Sequence, residues 1–501
     1  MNAMKLTMFA AVSGISLAAS AIRYNDVWLW KGETYTEVIP DTVEVGLAPE
    51  GFVVKDGVAE EVRYLHRATK GMRQFGATHY SSFADRVEWG SKKAGVRVLS
   101  VTAPADAKPG VYLAGEVRIH VIDRTLPPVK DWKYMLDLWQ HPWAVARYFN
   151  AEPFSSRHYA AMRPLWKMLA DAGQKQLTVT IMDRPWNRQC EDAYGTMIRH
   201  IKTKDGKWRF DYRIFDEYVE FGRSCGLGPD IACYTMCPWD YEVSWEDADG
   251  NRHAVKAIPG TPEFKEYWGD FLVDFAAHLK AKGWFDNTWI CMDERAPEDV
   301  RNICLFIAEK APGLKTFLAG NRSPSDFEDI TINHVCYGFG HLTDKLIAEA
   351  SDRRKQGMLT SFYVCCGPMY PNTLCHNEPE EGFWLGAYPG FAGLDGFLRW
   401  AYNSWPRDPD HDASYSGPGR WGWPSGDTYL VYPNGQPSLR FLELKNGIVA
   451  AEKLRILKEQ GLFKDEIAQL AKKFDRKQAI DNKIDFFSLR VQVLRLVNRE
   501  R

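Results

Sequence analysis

The feature that most limits how this chain can fold is an alternation of strand and helix signals between residues 134 and 402. Segments 134–138, 176–181, 229–234, 288–292, 314–319, 329–336, 358–365 and 396–402 are short apolar runs bounded by turn residues, as strands buried on both faces require. Segments 158–173, 212–226, 261–283, 297–311 and 342–356 between them carry helical periodicity. Eight strands alternating with helices predict an α/β fold, a (β/α)8 TIM-type barrel over 130–435. A doubly wound open sheet is the other arrangement with this periodicity.

The flanks read differently. Residues 22–125 look all-β, with strand signals at 26–30, 42–47, 87–89, 96–102 and 115–122 and a turn at 108–112. A small β-sandwich of about 100 residues fits them, and Leu126-Pro-Pro-Val129 reads as a linker. Residues 436–501 form a helical tail, with segments 437–460, 463–474 and 484–497 expected on the side of the barrel. The first 21 residues read as a signal peptide: Lys5, an apolar run over 6–19, then Ala19-Ser-Ala21 as a small-x-small cleavage pattern. Export to a periplasmic or extracellular location is the expectation, and no later apolar run is long enough to span a membrane.

A net charge of −2 gives no reason to expect nucleic acid as a partner. The 19 Trp, 22 Tyr and 26 Phe suit stacking on sugar rings, and they equally suit a large core. Of the ten cysteines, Cys233, Cys291, Cys336 and Cys365 fall inside strand-like runs and read as buried thiols. Disulfides stay open, and no Cys/His spacing fits a metal site.

Barrel enzymes place their chemistry at the C-terminal ends of the strands. Here those ends are aromatic and polar together: His141 after strand one, Asp183 and Arg184 after strand two, Trp239 and Asp240 after strand three, Tyr363 on strand seven. Trp400 lies late in strand eight and Asn403 and Trp405 follow it, with Trp421 and Trp423 in the next loop. Asp293-Glu294, after strand four, is the adjacent acidic pair among these ends. Two carboxylates crowded at an apolar mouth push one pKa up, giving a proton donor for a glycosidic oxygen. The pair could equally open the next helix as an N-cap and first turn. A retaining glycosidase of the common kind needs a second carboxylate about 5–5.5 Å from the acid. Strand seven ends Tyr363-Val-Cys-Cys-Gly367, without one; Glu378, Glu380 and Glu381 lie in a later loop. A substrate's own 2-acetamido oxygen can replace the missing nucleophile, and two neighbouring acids then suffice.

On these residues the chain resembles glycoside hydrolase family 123. The marks are Asp293-Glu294, the stretch Gly426-Asp-Thr-Tyr-Leu-Val-Tyr-Pro433, Ser438-Leu-Arg440 and Asn446-Gly447. The resemblance implies an exo-acting β-N-acetylgalactosaminidase acting on β-linked glycans with retention, without metal or other cofactor. Glu294 would be the general acid/base and Asp293 the residue orienting the acetamide. Ile448-Val-Ala-Ala451 departs from the acidic–aromatic pair that family members often carry there. Tyr363 is a candidate donor to the acetamide oxygen. Trp400 and Trp405 are candidate pocket walls, and His141, Arg184 and Asn403 candidate partners of sugar hydroxyls. Trp421 and Trp423 are candidate covers for the entrance. Two other readings are a conventional two-carboxylate glycosidase with Asp183 or Asp240 as nucleophile, and a non-catalytic sugar-binding barrel.

The signal-peptide reading predicts a mature chain beginning near Ile22. Mass spectrometry of protein secreted by its native host checks this; an intact Met1 or Met4 terminus rejects it.

Overall fold

The computed structural model describes residues 25–66, 79–187, 189–321, 323, 326–327, 329–412 and 423–500. The expected signal peptide and Trp421 lie outside them. Barrel strands one to eight are Met135–Leu138, Gln176–Thr180, Asp230–Tyr234, Thr288–Met292, Lys315–Ala319, His334–Gly338, Leu359–Val364 and Gly396–Arg399. Each strand from two to eight pairs in parallel with the next, and strand eight pairs with strand one. That circular order is a barrel and excludes the doubly wound sheet.

The seam between strands one and two is the weak point of the ring. Backbone pairing there is one isolated bridge, Leu136 with Gln174. Side-chain amides take over where the ladder is missing. Gln174 Oε1 accepts from the Leu138 N–H (2.9 Å), its Nε2 donates to the Gln176 carbonyl (2.6 Å), and Gln140 Oε1 accepts from the Thr178 N–H (2.8 Å). Buried backbone groups at an unpaired edge need such partners.

Strand alternation decides what faces the barrel axis. On strand four, Ile290 and Met292 pack outward among the helices, whereas Trp289 and Cys291 join the interior cluster. On strand seven, Phe362 and Val364 point outward and Tyr363 and Cys365 inward. The surrounding helices carry ordinary end signals. The helix Pro262–Lys282 starts at Thr261, whose hydroxyl accepts from the Phe264 N–H, and stops at Gly283 with φ 68°. A left-handed C-terminal residue is cheapest as glycine.

Two of the elements that were not expected border the mouth. The loops after strands two and three pair into a second sheet, ordered Trp208–Asp211, Arg199–Lys202, Glu242–Asp247, Arg252–Lys256. Between strands seven and eight runs the helix Pro379–Ala392. Glu378 caps it, with Glu381 completing a capping box, so the acids expected in a loop form its cap and first turn.

The N-terminal region is all-β. A three-stranded sheet (Asp26–Lys31, Val117–Thr125, Gly110–Ala114) packs on a four-stranded one (Thr34–Val38, Val96–Thr102, Val53–His66, His79–Trp89) through Leu29, Ile119, Val121, Tyr35, Leu99 and Val101. Segment 42–47 is not a strand; only Val45 makes a bridge, to Gly115.

The helix Leu439–Glu459 lies between this region and the barrel. Leu439 and Leu442 pack on Ala59, Val87 and Val98 of the four-stranded sheet. Its other side meets Pro379–Ala392 at glycines. A Cβ on Gly386 would stand 2.4 Å from the Leu444 carbonyl oxygen, and one on Gly447 2.1 Å from that of Phe383. The helix also buries charge. Arg440 Nη2 meets Asp85 Oδ2 at 2.9 Å, Arg490 Nε meets Glu443 at 2.7 Å, and Lys453 meets Glu33 at 2.5 Å. Among the described residues, no helix is long and apolar enough to cross a membrane.

Asp85 and Arg440 are both essentially inaccessible to solvent. Asp85→Ala leaves the guanidinium buried without its counter-ion, a loss on the order of 3–5 kcal/mol. Chemical denaturation of the two proteins should show it; a difference under about 1 kcal/mol, the worth of an exposed pair, rejects the structural role given to this contact.

Candidate active site

Strand four delivers Asp293 and Glu294 to the C-terminal mouth of the barrel. Continuing the alternation of Trp289 and Cys291 points Asp293 over the interior. Asp293 is half-buried and Glu294 exposed. The N-cap reading does not hold for this pair, since the next helix, Pro297–Lys310, begins after Ala296 and has Glu298 and Asp299 in its first turn.

Each carboxylate has its own partner. The Trp239 indole N–H donates to Asp293 Oδ2 at 2.8 Å. The Tyr363 hydroxyl donates to Glu294 Oε1 across the mouth from strand seven. Arg295 backs Trp239, its guanidinium 4.4 Å from the Tyr241 ring centroid and 5.6 Å from that of Trp239, with Nη1 donating to the Trp239 carbonyl. Burial first, and then the Glu294 charge, push the Asp293 carboxyl up to about 6; the Trp239 bond opposes this. Burial and the charge of Glu294 raise the Tyr363 phenol above its ordinary value.

Glu294, Arg295, Asn321 and His341 line a cavity of about 340 Å³. Gly338, ending strand six, keeps this wall open: a Cβ there would lie 2.7 Å from Asn321 Oδ1 and 3.2 Å from the Tyr363 hydroxyl. On the other side Trp400 is half-buried in the same interior cluster as Tyr363. Its indole N–H donates to Asp427 Oδ2 at 3.1 Å, and Asp427 is ion-paired with Arg399 at 3.0 Å, both fully buried. Among the described residues no three His, Cys, Asp or Glu side chains gather as a metal-ligand set.

Three sequence candidates prove to be framework. His141 is fully buried; it caps the helix Pro142–Tyr148, bonds the Asp192 carbonyl through Nε2 (3.1 Å) and stacks on Tyr194. Burial lowers its pKa to about 3. Asn403 is equally buried and clamps the His141 backbone, Oδ1 accepting from its N–H (2.9 Å) and Nδ2 donating to its carbonyl (3.1 Å). Trp405 has no exposed surface, and its indole N–H donates to the Val431 carbonyl at 2.7 Å. The polar groups of all three already serve loop backbone. Arg184 is half-exposed but turned to the inserted sheet, where it pairs with Glu242 at 2.6 Å. Trp423 is buried, with its N–H on the Gln189 carbonyl.

Sequence reasoning placed Trp239 after strand three but not beside Asp293, and it left out Arg295 next to the pair, Asn321 and His341 on the cavity, and Asp427 behind Trp400. Asn321 two residues past strand five could have been found by reading every strand end alike. Asp427 carried an earlier signal as well, its place in the Gly426–Pro433 stretch.

Comparison with known proteins decides what this mouth belongs to. The family model described as glycoside hydrolase 123, catalytic domain, matches residues 139–457. The chain belongs to glycoside hydrolase family 123. A family 123 glycoside hydrolase from Clostridium perfringens, described through its hydrolysis of glycolipid glycans, is similar in structure with a TM-score of 0.80 and 22% identity, over 98% of this chain and 95% of that one. An endo-β1,6-glucanase matches weakly, at a TM-score of 0.39 and 10% identity over 66% of this chain and 81% of that one. No curated protein matches in sequence. In this family 123 hydrolase the matched region begins at Trp139, at the end of barrel strand one, and runs through Leu457 in the central helix.

Trp239→Phe removes a hydrogen bond that favours the ionised Asp293, so its pKa should rise above about 6. The acidic limb of kcat/KM against pH reports the free enzyme. It should lie near pH 6 in the parent and higher in the variant; an unmoved limb shows that Asp293 does not set it.

Proposed function

We propose that this glycoside hydrolase removes N-acetylgalactosamine from the non-reducing ends of β-linked glycans, with retention, using the substrate's acetamide as the nucleophile. The observation that carries this reading is the state of the other acids around the mouth. Asp427 is buried against Arg399 and Trp400. Glu381 accepts from the Asn372 N–H and Asn377 Nδ2, inside a helix cap. Asp183 holds Arg252, Ser244 and the Thr196 N–H of the inserted sheet. Asp240 accepts from the Glu242 N–H in its own turn. Among the described residues Asp293 and Glu294 are the acids turned to the mouth, and neighbours in sequence cannot act on opposite faces of one sugar ring.

The two then divide the work. Glu294, open to the cavity, gives its proton to the glycosidic oxygen as the bond to C1 breaks. The acetamide carbonyl oxygen closes on C1 from the other face, forming an oxazolinium ring. Asp293, ionised above about pH 6, accepts the acetamide N–H and stabilises the charge growing on the ring. Glu294 next takes a proton from water, which opens the ring; two inversions give retention. Tyr363, bonded to Glu294 here, stands where its hydroxyl can turn to the acetamide oxygen. Trp400, fixed through its N–H, offers a ring face to the sugar. A glycolipid glycan, as described for the Clostridium perfringens protein, is one substrate of this class.

The reading predicts turnover of an aryl β-GalNAc substrate and near inertness toward the matching β-galactoside, which lacks the nucleophile. Glu294→Gln should cost about 10²–10⁴-fold, least for leaving groups that depart without a proton. Asp293→Asn should slow those too. A glycosyl ester on the protein, recovered by mass spectrometry after an activated 2-fluoro sugar, would establish a carboxylate nucleophile and reject the reading. Sugar binding without turnover in the parent enzyme would reject it as well.

A further inference from the structure

All ten cysteines are thiols, and eight of them are buried. Cys365 and Cys366 are the two that are half-buried, and they are consecutive. They sit where strand seven ends at the mouth. Strand alternation gives Cys365 the inward position next above Tyr363, and its side chain joins the interior cluster that holds Tyr363 and Trp400. The two Sγ atoms are 3.8 Å apart. The Cys366 sulfur holds the Cys365 thiol below its ordinary range, against burial and the charges of Asp427 and Glu294. Burial instead pushes the thiols of Cys190, Cys237, Cys304 and Cys375 up to about 12. The backbone around the pair is fixed. Asn372 Nδ2 donates to the Cys365 carbonyl (3.0 Å) and the Pro368 carbonyl (2.6 Å), and Asn372 is held by Arg399.

We propose that Cys365 and Cys366 are a reactive vicinal dithiol at the mouth of the barrel, a modification site that small disulfides close reversibly into a Cys365–Cys366 bond, and that closure suppresses hydrolysis. In the first step the Cys365 thiolate attacks one sulfur of the reagent disulfide and expels the other as a thiolate. In the second, Cys366 gives up its proton and attacks the Cys365 sulfur, expelling the remaining reagent thiol. The protein loses two protons and two electrons, and the reagent disulfide takes them up to become two thiols. The thiolate is the attacking species, which favours a partly exposed thiol of low pKa over buried ones.

The bond so formed is easily reversed. Consecutive Cα atoms lie about 3.8 Å apart across a trans peptide, closer than the roughly 4.4–6.8 Å that disulfides usually span. A strained, exposed disulfide is readily reduced. Closure also draws the sulfurs from 3.8 Å to about 2.05 Å. That pulls on the backbone two residues from Tyr363, whose hydroxyl holds Glu294.

The test uses the full chain, native and reduced, with 5,5′-dithiobis(2-nitrobenzoate) as the disulfide. Closure should release two nitrothiobenzoate ions per chain and leave a protein about 2 Da lighter, without adduct. Cys366→Ser, which should keep its basal turnover, should release one ion and keep the reagent as a mixed disulfide on Cys365. Aryl-glycoside hydrolysis by the parent should fall on the order of 10-fold or more and return with dithiothreitol. The double variant Cys365→Ser/Cys366→Ser should keep its own untreated rate in the reagent. A stable adduct on the parent, no release from the native protein, or closure with an unchanged rate would each overturn the proposal. Ion release and mass need no turnover, so a failure here is distinct from a failure of the glycosidase reading.

Discussion

The organisation of this molecule depends on one buried cation. The guanidinium of Arg440 donates to both carboxylate oxygens of Asp85 in the N-terminal four-stranded sheet, and to the carbonyls of Thr373, Gly426 and Tyr429. Thr373 belongs to the loop after strand seven, and Gly426 and Tyr429 to the loop after strand eight. One side chain of the central helix therefore joins the N-terminal sheet to the two loops that wall one side of the mouth. Arg399 repeats the arrangement one layer closer to the barrel, through Asn372 and Asp427. An arginine suits both places, since its planar fork stays charged when buried and meets several acceptors at once. The cost of removing these charges from water is offset only because nearly every donor is used.

The mouth shows what such a frame does for chemistry. Carboxylates are plentiful around it, but most are committed to arginines, helix caps or turns. Commitment removes a carboxylate from chemistry as effectively as distance does. Asp293 and Glu294 escape because strand four ends between the inserted sheet on one side and the short wall of Asn321 and Gly338 on the other. Their separate partners, an indole donor for one and a phenol donor for the other, keep two neighbouring acids in different environments. That difference is how one pair can hold two roles.

Much of the frame was legible in the sequence. The eight barrel strands fall within a few residues of the expected segments, because runs such as Thr288-Trp-Ile-Cys-Met292 have no other stable place. The helix Pro379–Ala392 escaped notice because its apolar residues surround it instead of forming a stripe, as they must when it is packed on both sides. The inserted sheet escaped because it pairs segments from two different loops, and local patterning carries no trace of that. At the site, strand ends gave the height of each residue but not its direction. His141, Asn403 and Trp405 stand at the right height and turn into the frame; Tyr363 stands there and faces the mouth. The bond from Trp239 to Asp293 joins residues 54 apart and could come only from the fold.

The contacts between the two ends of the chain bear on how it is made. The Trp30 indole N–H donates to the Val497 carbonyl, Glu33 is neutralised by Lys453, and Lys453 also reaches Asn498. The first sheet thus completes its core with residues synthesised more than 400 positions later. A ribosome releases a chain from its N-terminus, and most domains settle in that order. Here the earliest strands emerge with a carboxylate and an indole whose partners do not yet exist. The barrel can gather in the interval, but these contacts close only after translation has passed Asn498.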